Sequence, residues 1–303
     1  MNRRRAIKVG TLLSAGLLLE QQGHGARPEP DHTFKIGTCD WSIKMPLSVD
    51  SFKFAQLNGL DGIQYSFDEA GKGLDLRSFE NRDTIRATVK ETGVAISSLG
   101  IGLLNKVPLA TTDEAEQLVV ECIDTMAKLK KEAAEFQDRE LATMVSPHIV
   151  LLAFFGKADI NGRPDRIESV IEKLKRLAPL AEKHGFTLAL ETLLNESDHR
   201  HILDSVGSAA VRIYYDTANS SRMGYDIYSE IGSLGTKSIA EIHIKENDAL
   251  LGKGEIDFAR VKKLLDSLNY RGWLIIEGST PKGMSREEGC EINAVYAREL
   301  FGS

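Results

Sequence analysis

The sequence has only three cysteines, Cys39, Cys122 and Cys290, too few and too scattered for a disulfide framework. Basic charge is not in excess either. Lys and Arg number 38 against 44 Asp and Glu, a net charge of −6, which leaves no electrostatic footprint for nucleic acid. The apolar run from Val9 to Leu19 is too short to span a bilayer. Also missing is a glycine-rich first turn. The segment after the first strand pattern reads "TCDWSIKMP", with no G-x-G-x-x-G, which counts against a doubly wound dinucleotide-binding sheet. What is present is ordinary globular composition, 42% hydrophobic and 27% charged over 303 residues, enough for one large α/β domain or two small ones.

The N-terminus reads as a targeting segment rather than as fold. "MNRRRAIKVGTLLSAGLLLEQQGHGA" places Arg3, Arg4 and Arg5 before the apolar run and small residues before Ala26. That is a basic region, a short hydrophobic region and a cleavage zone. "RRRAIK" resembles a twin-arginine signal. The expectation is a twin-arginine-type signal peptide over residues 1–26, read by the twin-arginine export machinery, with a periplasmic mature protein and no stable membrane insertion. An anchoring N-terminal helix is the alternative.

From about residue 33 the chain alternates between short β-rich runs and longer amphipathic patterns. Strands are expected at 34–40, 62–67, 95–101, 148–155, 187–192, 211–216, 239–245 and 273–278. Helices are expected at 50–59, 83–93, 113–131, 166–185 and 257–272, with Asp50 and Asp257 as N-caps. Gly59, Gly93, Gly185 and Gly272 each follow a helical pattern and precede a strand. Eight such units in about 270 residues fit a (β/α)8 TIM barrel, a single domain over 33–303 after the signal segment. The charged segment 129–147 breaks the rhythm and is expected as extra helix on the face away from catalysis. "GKG" at 71–73 and at 252–254 matches no phosphate fingerprint, and ordinary loop glycine is the better reading.

Barrel chemistry gathers where strands run into the following loops. Strand five ends in Glu191, strand six in Asp216 and strand eight in Glu277, while strand seven carries His243. Each has a plain alternative. Asp216 serves equally as a helix cap, a lone strand histidine is usually a satisfied core residue, and either glutamate could pair with Lys245. Taken together, three carboxylates at one barrel mouth repel one another and lose hydration unless a cation or protons compensate. Three carboxylates and an imidazole without a thiolate point to Mn²⁺ first and Co²⁺ second, with Mg²⁺ or Zn²⁺ also compatible.

"ALET", "YYDTANS", "EIHIKENDALLGKGEIDF" and "GWLIIEG" resemble the xylose isomerase-like TIM-barrel superfamily. The closer likeness is to its sugar phosphate isomerase/epimerase branch, near hydroxypyruvate isomerase-like, inosose dehydratase-like and ketose 3-epimerase proteins. The resemblance covers residues 33–303 and is strongest after 187. It implies Glu191, Asp216, His243 and Glu277 as metal ligands, with Glu191 and Glu277 as the acid/base pair flanking the substrate. It also implies a sugar-like substrate and is compatible with a homo-oligomer. Lys245, two residues after His243 and on the same side of the strand, would meet a substrate oxygen or pair with Glu277. Asn219 stands where ketose 3-epimerases commonly carry a substrate-contacting histidine, and Ala249 stands where they carry an arginine. Both departures count against a free ketose. His199 and His201, in the loop after strand five, would reach substrate or stay solvated. Cys39, Trp41 and Gln64 are candidates for the pocket wall.

The leading functional expectation is a divalent-metal-dependent isomerase or epimerase of a sugar or related hydroxy-carbonyl compound. It would move a proton through a metal-stabilised enediolate between two glutamates. A lyase or dehydratase acting on a keto sugar or keto-glycoside uses the same first step. A non-catalytic sugar-binding barrel is a weaker reading. So is an endonuclease relative, because "AISSLGI" and "LLAFF" supply none of the extra histidines that branch needs.

Overall fold

The computed structural model describes residues 34–278 and 280–302. The expected signal segment, 1–26, lies outside the described residues. Eight parallel strands close into a barrel in chain order. They are β1 Lys35–Cys39, β2 Gly62–Ser66, β3 Ala95–Ile101, β4 Ile149–Ala153, β5 Thr187–Glu191, β6 Val211–Asp216, β7 Ile239–Ile244 and β8 Trp273–Ile276. Ten helices accompany them among the described residues: α1 Val49–Leu57, α2 Phe79–Thr92, α3 Asp113–Ala133, α4 Arg139–Met144, α5 Pro164–His184, α6 Glu196–Val206, α7 Thr217–Arg222, α8 Ile227–Ser238, α9 Phe258–Ser267 and α10 Arg286–Phe301. None is long and apolar enough to cross a membrane.

All eight expected strands form, β3 and β6 with the expected bounds and the other six trimmed at one or both ends. Helix boundaries follow the capping chemistry. Asp257 caps α9 by accepting the Arg260 N–H. The α1 cap is Ser48, whose hydroxyl accepts the Asp50 N–H, so Asp50 belongs to the first turn instead. Gly93 and Gly185 take the left-handed conformation that ends α2 and α5, at φ 70° and 72°. Gly272 does not end α9, which stops at Ser267 with Leu268 as its cap. It is glycine because a Cβ there would stand 2.3 Å from the Tyr270 hydroxyl. The 129–147 segment divides into the last turn of α3 and the separate short helix α4, capped by Asp138.

The main core lies between the strands and the helix ring. A second, smaller cluster inside the barrel comprises Ile149, Leu151, Ala153, Ala189, Tyr214 and Ala240. Beside that cluster the interior is polar, with Gln64, Ser98, Glu241 and His243 all buried. One irregularity sets the site. Ile213 pairs with Ile239, yet Tyr214 pairs with Glu241, so β7 carries one extra residue there. The shift places Asp216 opposite His243 rather than opposite Ile242, so that both side chains face the mouth.

Candidate metal centre

Glu191 and Asp216 close β5 and β6, His243 lies near the end of β7, and Glu277 follows the last residue of β8. One ligand atom from each falls within 4.8 Å of the others. His243 Nδ1 stands 2.9 Å from Glu191 Oε1, 3.7 Å from Asp216 Oδ2 and 3.7 Å from Glu277 Oε2. Asp216 fills both roles open to it. Its Oδ1 accepts the Asn219 N–H and caps α7, while its Oδ2 is buried without a hydrogen bond and faces the cluster.

The charges explain why a dication suits these residues. Three carboxylates converge, and Lys245 is the one fixed cation among them, 2.6 Å from Glu277 Oε2 and 3.5 Å from Asp216 Oδ2. Two negative charges are left over. A divalent ion on a neutral imidazole balances them, whereas a proton on His243 balances only one. Without an ion the strain appears in the titration behaviour. Burial pushes Glu191 up to about 7, against the pull of His243. Burial also works against ionised Asp216, but Lys245 and His243 hold it down at about 2. Glu277 stays low against burial through His243 and Lys245. His243 overcomes burial and is pushed well up by the surrounding carboxylates, Glu191 and Glu277. The donor set is mostly oxygen, and the orphaned Asp216 oxygen fits a cation.

The other expected site residues separate. Trp41 lines the mouth, and its Nε1–H donates to Glu277 Oε1 at 2.9 Å. Its ring lies over β3, where a Cβ on Gly100 would come within 2.7 Å of it. Asn219 is buried beside Glu191, with Nδ2 3.5 Å from Oε1. Lys245 is held by Glu277 and Asp216, as the salt-bridge alternative had it.

Cys39 and Gln64 are not wall residues. Both are fully buried beneath His243, because their strand positions aim them into the barrel below the mouth. Gln64 Oε1 lies 2.8 Å from His243 Nε2 and also accepts from the Cys39 thiol, which burial raises to about 12 and so keeps neutral. His199 lies on α6, not in a loop. It is buried, with Nε2 2.8 Å from the Thr192 hydroxyl, and burial lowers it to about 4. It lines neither cavity at the mouth. His201 is exposed and meets Glu168 at 2.8 Å.

Asp40 and Glu241 are among the buried acids that escaped the sequence reading. Asp40 accepts the Ser66 hydroxyl at 2.6 Å and the N–H groups of Ser66 and Leu47 at 3.0 Å, tying the β1 loop to β2. Its own signal was only an acid at a strand end. Glu241 lies in the barrel interior one layer below His243, where burial raises it to about 7.

Two cavities open at the mouth. The larger, about 560 Å³, runs from Glu191, Glu277 and Trp41 across the loops after β2 and β3 to Asp68, Leu103 and Phe155. The smaller, about 360 Å³, shares Trp41 and Glu277 and continues past Lys245 to Asp248, Thr280 and Arg286.

With this geometry in place, comparison with known proteins decides the family. Residues 52–299 match the family model described as the xylose isomerase-like TIM barrel. The chain belongs to that family. Its relatives include a 2-epi-5-epi-valiolone 7-phosphate 2-epimerase from Actinoplanes sp., 26% identical over 229 residues, 74% of this chain and 78% of the relative. Another is a putative L-ribulose-5-phosphate 3-epimerase from Escherichia coli, 25% identical over 270 residues, 82% and 90% of the two chains. Among solved structures, D-psicose 3-epimerase from Clostridium cellulolyticum H10 superposes with a TM-score of 0.67 at 14% identity, covering 89% of this chain and all of that one. These relatives are epimerases, and the elimination reading gains no support from them.

Proposed function

We propose that this xylose isomerase-like barrel is a divalent-metal-dependent isomerase or epimerase of a sugar or related hydroxy-carbonyl compound, with Mn²⁺ the first candidate ion. The observation that carries the reading is the convergence of Glu191, Asp216, His243 and Glu277 around the unsatisfied Asp216 oxygen. These four residues would hold the ion, which supplies Lewis-acid stabilisation of the enediolate oxygens.

The chain's own groups do the rest. Glu191 and Glu277 reach the mouth from β5 and β8 and line the same cavity, so a substrate carbon between them can lose a proton to one and regain it from the other. Trp41 and Lys245 fix the Glu277 carboxylate through its two oxygens, and Asn219 steadies Glu191. The basic and apolar N-terminal segment supports export by the twin-arginine route to the periplasm.

The deciding experiment measures metal content of the purified protein beside His243→Ala and Glu277→Ala, then follows deuterium uptake by candidate keto sugars in D₂O. About one ion per chain, lost in both variants, together with uptake that depends on it, is the expected result. A wild type that stays metal-free when supplied with Mn²⁺ or Co²⁺ would falsify the reading. Recovery of the mature protein from the cytosolic fraction alone would end the export proposal.

A further inference from the structure

Glu277 stands at a junction rather than at the bottom of a pocket. Both cavities of the mouth are lined by Glu277 and by Trp41, whose Nε1–H is bonded to that carboxylate. A substrate carbon presented to Glu277 can therefore carry substituents in two directions, one on each side of the indole. The two sides differ in chemistry. The smaller is walled by Ser42, Lys245, Asp248, Thr280 and Arg286, nearly all polar or charged. The larger has apolar walls from Pro46, Leu47, Leu103, Leu151 and Phe155. Its polar groups gather at the outer end. There Asp68 accepts the Leu103 N–H with one oxygen, and the Glu69–Lys72 ion pair and Lys106 form the rim.

Size makes the same point. At about 560 Å³ the larger side alone falls in the range that encloses drug-sized ligands. A six-carbon sugar centred on Glu277 would leave most of it to water. Water left along apolar walls forgoes the stabilisation that a ring would gain there. A second ring, with flat apolar faces and a polar edge, matches walls of this kind with a polar outer end.

We propose that the substrate is a glycosidically extended keto sugar. Its reacting ring lies against Trp41 and Glu277, its hydroxyls face the smaller polar cavity, and its aglycone ring fills the apolar-walled cavity over β2–β4. This assignment rests on the isomerase/epimerase reading for its chemistry, but the cleft can be tested without turnover.

The binding test uses phenyl glucoside and glucose, neither of which has a carbonyl to react, titrated calorimetrically into the metal-loaded protein. Phenyl glucoside should bind at least tenfold tighter. Leu103→Trp, which thrusts an indole into the larger cavity, should bring that ratio close to one with metal content unchanged. The kinetic test compares deuterium uptake by a hexose that carries a ring ketone away from its anomeric carbon and by the phenyl glycoside of that same keto sugar, in which the ketone survives, with kcat/KM expected to favour the glycoside by tenfold or more. Equal affinities for phenyl glucoside and glucose would overturn the proposal, and so would a preference untouched by Leu103→Trp. Equal kcat/KM for the two keto sugars overturns it while leaving the isomerase/epimerase reading standing. Tight, Leu103-dependent binding without uptake from either keto sugar upholds the cleft and overturns the chemistry.

Discussion

Gln64 Oε1 lies 2.8 Å from His243 Nε2, while the opposite ring nitrogen, Nδ1, faces the three carboxylates. An amide oxygen can only accept, so Nε2 carries a hydrogen and Nδ1 is the nitrogen left for a metal. Gln64 is in turn anchored by donating from Nε2 to the Ser98 hydroxyl at 3.1 Å. Gln64→Leu should therefore weaken metal binding by about 10–100-fold, the usual cost of losing a partner that orients a ligand. Gln64→Glu keeps an acceptor at that position and should retain most of the affinity. Chelator competition on the two variants measures both. Equal affinities in Gln64→Leu and wild type would show that packing alone sets the ring.

Metal loading should be coupled to proton release. Without an ion, His243 Nδ1 contacts Glu191 Oε1 at 2.9 Å, a distance that requires a proton between them. That proton must leave before Nδ1 can act as a ligand. Affinity for Mn²⁺ or Co²⁺ should accordingly rise with pH and level off once the proton is gone. Adding metal to apoprotein in weak buffer should acidify the solution. Pulling the ion off with a chelator should draw the proton back. A pH-independent affinity would mean the pair is already deprotonated.

The four ligand candidates were legible in the sequence because each ends or nearly ends an apolar run with an acid or a histidine, and barrel strands aim such ends at one face. The register shift at Ile213/Tyr214 was not legible, and Asp216 meets His243 only through it. Nor could the sequence give depth along the barrel. Gln64 and Cys39 read as wall residues, yet stagger between the strands sinks both beneath His243. Polar helices were lost for a different reason. Residues Glu196–Val206 read as a loop because acids and histidines dominate them, while Asn195 and Gly207, which cap the segment, went unread. Helix α10, which contains Gly289, was not among the expected helices. Gly289 is glycine because Thr280 packs where its Cβ would stand.

Removing either glutamate should separate chemistry from folding. Glu191→Gln and Glu277→Gln keep the shape of the side chain but lose a proton-transfer group, for a loss of about 10²–10⁴-fold in proton exchange before any loss of metal is counted. Assays at saturating metal isolate that term. Trp41→Phe keeps an aromatic floor but removes the Nε1–H bond to Glu277, so it should lower kcat by about tenfold with metal content intact. A Glu277→Gln variant exchanging at the wild-type rate would remove Glu277 from the proton path.

Asp40 should make the metal-free protein less stable as pH rises. Burial raises its carboxyl from 3.8 to about 7, against its bonds to Ser66 and Leu47. Between those two values the folded chain holds a proton that the unfolded chain has released. Folding is therefore disfavoured as pH climbs through the window, by up to about 1.4 kcal/mol per pH unit for one proton. Asp40→Asn keeps an oxygen for the Leu47 and Ser66 N–H groups and turns its amide NH2 toward the Ser66 hydroxyl, with no charge to bury. Relative to wild type the variant should gain stability steadily from pH 4 to 7 and no further above it. Glu191 and Glu241, also raised to about 7, remain in both proteins, so their contribution cancels in the difference. Urea unfolding of the two apoproteins across that range reads the gap directly. A gap that does not change with pH would mean Asp40 is ionised in the fold throughout.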